Sequence, residues 1–148
     1  NRGNAKKGDL PQTVDILRLW VDHGQASVND TYGYVVYTGK GRPADTLPFQ
    51  VLRNDTLVQA VRSVDGKLVG VVFYPGNKGL EVDNLSLSVS SPCAVLIQKE
   101  KGKYKLSVTD ACMNSALKEI TLVFNGRTVI VSMEQGMLSG KPSVIEIP

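Results

Sequence analysis

Glu119-Ile120-Thr121-Leu122-Val123-Phe124-Asn125-Gly126-Arg127-Thr128-Val129-Ile130-Val131-Ser132-Met133 is two strands and the turn that joins them. Ile120, Leu122 and Phe124 recur at every second position, and Val129, Val131 and Met133 answer them beyond Asn125-Gly126. A period of two puts each set on one face of a strand. Asn-Gly accepts the positive φ angles of a type I′ turn, whose twist matches that of paired strands. Asp65-Gly66 likewise links residues 57–64 to 68–74, and Lys101-Gly102 links 94–99 to 104–108. Three successive hairpins predict an all-β chain built as an antiparallel β-sandwich.

Composition agrees. Twenty valines spread along 148 residues favour sheet over helix, because β-branched side chains suit a pleated, half-buried surface. With 42% apolar and 21% charged residues the chain is neither disordered nor short of a core. No stretch approaches the roughly 20 apolar residues of a membrane span. Net charge is +3, with nine basic against seven acidic residues in 1–74 and eight against seven in 75–148. Such balance leaves no basic half for nucleic acid. Position 1 is Asn and no signal peptide is visible, so we expect a removed leader or a piece of a longer polypeptide.

Period-two runs predict strands near 14–21, 31–38, 49–53, 56–64, 68–74, 85–90, 93–99, 103–109, 117–124, 127–133 and 143–147. Residues 39–48, rich in Gly and Pro, read as a linker. Ahead of it stand only two strands, which cannot bury a core by themselves. Residues 1–38 are therefore expected to be the last hairpin of a larger β domain, and 49–148 a C-terminal sandwich.

Few residues offer chemistry. His23 is the only histidine, so neither a triad nor a histidine metal site has much to build from. Asp22-His23-Gly24 closes a strand; neighbouring strand residues face opposite ways, and we read His23 as a structural histidine at a turn rather than an oriented base. Trp20, Tyr32 and Tyr34 form an aromatic set that could stack on sugar rings or pack an interface, and we favour packing. Lys99, Lys101, Lys103 and Lys105 alternate about one turn; a polyanion surface is open, with Lys101 and Lys103 its candidates, but we read them chiefly as guards of a strand edge. Cys93 and Cys112 flank the same hairpin: if Lys99 pairs with Tyr104, Cys93 falls opposite Asp110. That spacing admits a disulfide in an oxidising compartment, and we favour two buried free thiols. Asn29, Asn54 and Asn84 begin glycosylation sequons, yet each precedes a predicted strand where Asn serves a turn anyway. No phosphate loop, CxxC pair or G-x-S-x-G elbow occurs. By its residues alone the chain is a binding or scaffolding β domain.

Longer strings say more. Leu19-Trp20-Val21-Asp22-His23-Gly24 followed by Asn29-Asp30-Thr31-Tyr32-Gly33-Tyr34 resembles the "LW-x-DHG … N-x-(S/T)-Y-x-Y" stretch of the family 8 polysaccharide lyases, the bacterial chondroitin, hyaluronan and xanthan lyases. Phe49-Gln50-Val51-Leu52-Arg53-Asn54 with Val58-Gln59-Ala60-Val61-Arg62 is similar to the opening of that family's small C-terminal β domain. Ser91-Pro92-Cys93-Ala94-Val95-Leu96 and Leu106-Ser107-Val108-Thr109-Asp110 resemble two of its later strands. Val28, Ala111 and Tyr37-Thr38-Gly39 depart from the usual turn residues.

The resemblance implies a parent enzyme that cleaves uronic-acid polysaccharide of the chondroitin or hyaluronan type by β-elimination. It implies catalytic groups in domains ahead of this one, an inactive fragment that packs on those domains, and a periplasmic or extracellular location. It implies no cofactor here and leaves a divalent cation such as calcium open for the parent. The partner is then acidic polysaccharide, met through the parent; nucleic acid and a membrane span are not expected. The alternative is an independent carbohydrate-binding or adhesion domain.

Overall fold

The computed structural model describes residues 45–148 continuously and, ahead of them, residues 20, 22, 24–25, 28, 31–36 and 38–41. The chain divides into two compact units, Asn1–Tyr32 and Gly33–Pro148. Every strand among the described residues lies in the second.

The elements run β1 (Phe49–Asn54), β2 (Val58–Ser63), β3 (Leu68–Phe73), β4 (Leu80–Val82), β5 (Leu85–Val89), β6 (Cys93–Glu100), β7 (Lys103–Thr109), β8 (Glu119–Phe124), β9 (Arg127–Ser132), a 3₁₀ turn (Gly136–Leu138) and β10 (Ser143–Ile147). One sheet has the order β1-β2-β3-β6-β7-β10 and the other β4-β5-β8-β9. All pairings are antiparallel.

Alternation explains the layering. Val58 and Ala60, Val69, Val71 and Phe73, and Cys93, Val95 and Ile97 point inward from the larger sheet. They meet Leu80, Leu87, Ile120, Leu122 and Phe124 from the smaller one in a single buried cluster. The Tyr104 ring meets Phe124 edge-on, centroids 4.9 Å apart and planes at 68°. Burying a Leu, Ile or Phe fully stabilises by about 1.5–3 kcal/mol, so this one core accounts for the chain's folding as an antiparallel sandwich.

The turns follow local chemistry. Lys101-Gly102 (φ 47 and 82) and Asn125-Gly126 (φ 47 and 79) are both left-handed at two successive residues, as a type I′ turn demands. Asp65-Gly66 differs: only Gly66 has positive φ. The Asp65 carboxylate instead accepts from Ser63 Oγ (2.6 Å) and Lys67 N (3.1 Å), which suits a longer turn.

Two expectations need correction. The described residues of 31–38 form no strand and are exposed; alternation is a local signal, and a strand needs a ladder partner to exist. Conversely β4 went unread, because three residues between Gly79 and Asp83 are too few to show a period. The predicted strand at 14–21 lies mostly outside the described residues.

Beyond Thr109 the chain turns on Asp110, the sole buried polar or charged residue among those described, 5% exposed. Its carboxylate accepts from Cys112 N (2.9 Å) and Asn114 N (2.6 Å). Thr109 Oγ1 donates to Gly140 O (2.6 Å), tying this loop to the segment before β10.

The outward face of the six-stranded sheet carries a row set by register: Val51, Val61, Gly70, Leu96, Ser107 and Val144 lie side by side across all six strands. Its four large members are 42–54% exposed.

Candidate functional site

Trp20, Tyr32 and Tyr34 are all exposed, Trp20 to 79%. Asp22 Oδ1 accepts from Gly24 N (2.8 Å), and Gly24 itself is left-handed, with φ 72. His23 lies outside the described residues.

Lys101 and Lys103 sit exposed at and beside the β6–β7 turn. The pairing Lys99↔Tyr104 and Glu100↔Lys103 follows the register expected from Lys101-Gly102. The edge-guard reading of these lysines is corrected by strand order: β6 and β7 are interior strands, flanked by β3 and β10. Local sequence cannot reveal which strands will be edges. The outer strand β1 instead carries a bulge between Val51 and Arg53, one of the devices that blunt an edge.

Cys93 and Cys112 are both free, but the expectation that both are buried holds only for Cys93; Cys112 is exposed, because it stands in the turn that follows β7. Burial, and secondly the Asp110 charge, push the Cys93 thiol up to about 12, so it stays protonated and unreactive.

The lysine-bearing hairpin instead borders a cleft of about 410 Å³ at one end of the sandwich. Four connections meet there. The β2–β3 turn brings Gly66 and Lys67, the β4–β5 turn Asp83 and Asn84, the β6–β7 hairpin Lys99 and Tyr104, and the β8–β9 turn Asn125. Val69, Val82, Leu85 and Ile97 form an apolar floor.

Backbone and side-chain bonds brace the rim. Lys99 N donates to Lys67 O (2.8 Å), joining two turns of the larger sheet. Asn125 N donates to Ser86 O (2.8 Å) while Asn125 Oδ1 accepts from Ser86 N (2.9 Å), joining two of the smaller. Arg62 spans the sheets, donating to Asp83 Oδ2 (2.8 Å) and Gln50 Oε1 (3.0 Å). Lys67 faces Asp65 at 3.5 Å. Lys99 has no carboxylate partner among the described residues; its ammonium lies 5.6 Å from the Tyr104 ring centroid, a weak cation–π contact.

Three cations against one carboxylate line the cleft. That arrangement can hold an anion. It brings no two groups together as base and acid, and no cluster of three metal-ligating side chains occurs among the described residues. No helix among them is long and apolar enough to cross a membrane. Arg62, Lys67 and Asn125 drew no functional reading from sequence, and Asn84 only that of a glycosylation sequon, although each lies in or near a hairpin turn. What was missing was that these turns gather at one end.

Comparison with known proteins gives three results. Residues 50–117 match polysaccharide lyase family 8, C-terminal beta-sandwich domain. Over 101 residues, 65% of its length, the chain is 32% identical to chondroitinase-AC of Pedobacter heparinus, of which it spans 14%. It is also similar to a solved structure of chondroitinase AC lyase, with a TM-score of 0.55 at 27% identity, covering 67% of this chain and 15% of that one.

Proposed function

We propose that this chain, which carries the C-terminal β-sandwich domain of polysaccharide lyase family 8, is the non-catalytic rear of a bacterial enzyme that cleaves uronic-acid polysaccharide of the chondroitin or hyaluronan type. Such enzymes eliminate across the uronate: a base takes the C5 proton and an acid protonates the departing oxygen. Both groups belong to domains ahead of this sandwich, and its task is to support them. Residues 1–38 end the central sandwich, 39–48 link, and 49–148 form the supporting domain. The whole enzyme works in the periplasm or outside the cell, where its polymeric substrate is found.

The observation that supports a bracing role is the outward row on the six-stranded sheet. Val51, Val61, Leu96 and Val144 stand about half exposed on a face where Gly70, between Val61 and Leu96, has no side chain. Covering each recovers on the order of 1 kcal/mol. The occupant is the remainder of the lyase, since this chain spans only 14% of the curated relative it matches.

Release of unsaturated uronate, followed by its ultraviolet absorbance, tests the reading on chondroitin and hyaluronan. The parent enzyme should produce it and the 148-residue chain should not. Activity in neither overturns the lyase reading for these polymers; activity in the short chain overturns its supporting role.

A further inference from the structure

We propose that the cleft at the hairpin-tip end is a subsite for one anionic sugar residue, carrying a sulfate or carboxylate, and that Lys99 is its principal contact. The ligand class rests on the lyase reading above; the site itself rests on the geometry of the cleft.

The walls are rich in unused donors. Asn125 spends its side-chain oxygen on Ser86 N, which leaves its Nδ2 to donate outward. Arg62 uses one terminal nitrogen for Asp83 and the other for Gln50; a guanidinium has five N–H groups, so donors remain. Tyr104 also lines the space. Lys99 is the one lining cation that faces no carboxylate among the described residues, so an incoming anion need not displace a partner. The floor of Val69, Val82, Leu85 and Ile97 suits the C–H face of a sugar ring.

The size agrees, since about 410 Å³ lies within the range of small-molecule sites. The site is partly open and its charges are hydrated. Binding is therefore weak, and one exposed ion contact contributes roughly fivefold in affinity. A weak subsite suits an enzyme that must hold a long polymer yet let it move.

The test is an amide-shift titration of the isotope-labelled 148-residue chain with four probes: a chondroitin sulfate tetrasaccharide, a hyaluronan tetrasaccharide, a neutral tetrasaccharide and inorganic sulfate. Shifts should concentrate at Gly66, Lys67, Asp83, Asn84, Lys99 and Asn125 with a charged tetrasaccharide and be absent with the neutral one. A response to the sulfated but not the hyaluronan probe assigns the sulfate as the recognised group, and a response to both assigns the carboxylate. Lys99→Met should weaken binding about fivefold, whereas Lys103→Met, beside the turn, should change it less than about twofold. Either variant's spectrum shows directly whether the fold is kept. The inference is overturned if neither charged tetrasaccharide shifts the cleft, if inorganic sulfate reproduces the whole pattern, or if Lys103→Met weakens binding as much as Lys99→Met. A parent enzyme that still releases unsaturated uronate would then leave the lyase reading standing while this subsite falls.

Discussion

Replacing Asp110 probes the polar linchpin of an otherwise apolar core. Its carboxylate is 5% exposed and accepts two backbone N–H bonds, from Cys112 at 2.9 Å and Asn114 at 2.6 Å. Hydrogen bonds to a charged group contribute about 1.5–3 kcal/mol each, and a buried donor left unpaired costs its full desolvation. Asp110→Ala strands both donors and should cost about 3–5 kcal/mol, a large share of the 5–15 kcal/mol typical of a domain. Asp110→Asn keeps one accepting oxygen and turns an NH₂ toward the other amide, so it should lose about half as much. Urea denaturation of the 148-residue chain gives both values. Hydrogen exchange at the Cys112 and Asn114 amides locates the loss, because both should exchange faster in the variants. An alanine variant within about 1 kcal/mol of the parent would refute the assignment of this carboxylate as the loop's anchor.

Two glycines offer a matched contrast. Gly79 (φ 91) and Gly140 (φ 86) both need the left-handed region, but a Cβ at Gly79 falls 2.8 Å from the Leu87 carbonyl oxygen, whereas at Gly140 it meets the Met113 side chain at 2.6 Å. The Leu87 backbone is held by its pairing with Leu80, while Met113 is 66% exposed and can swing away. Gly140→Ala should cost about 1–2 kcal/mol and Gly79→Ala about 3 kcal/mol or more by thermal melting; equal costs would contradict the geometry. For the thiols, an alkylating reagent should modify Cys112 in the native chain and reach Cys93 only after unfolding. With the folded Cys93 thiol raised to about 12 from an ordinary 9.0, the native state holds a proton that the unfolded chain sheds. Its contribution is intact below pH 9 and declines as pH climbs toward 12. Equal native labelling of both cysteines would count against this burial.

Most of the sandwich could be read from alternation and turn chemistry. Asn125-Gly126 and Lys101-Gly102 are the type I′ turns their residues call for, and the latter carries the pairing of Lys99 with Tyr104. Strand order was out of reach, because nothing local to Lys99–Lys105 says that β3 and β10 will flank that hairpin. The same blindness hid the cleft. Arg62, Lys67, Asn84 and Asn125 are scattered over 64 positions and become one wall only when two sheets stack. Asp110 was visible as part of a strand motif, but its role depends on two amides that lie after it in a turn. β4 shows the opposite limit, where a three-residue strand is fixed by its pairing with β5 rather than by its own pattern.

A charged substitution at the centre of the outward row tests the bracing role most directly. Leu96→Lys leaves the buried face of β6 untouched, since Val95 and Ile97 point the other way. The melting of the 148-residue chain should then change by less than about 0.5 kcal/mol. In the proposed parent lyase the same substitution should shorten the thermal half-life of uronate-eliminating activity severalfold, because a lysine would be pressed against the domain proposed to cover this face. An unchanged half-life in the parent, with the variant sandwich folded, would contradict the claim that this sheet braces the enzyme.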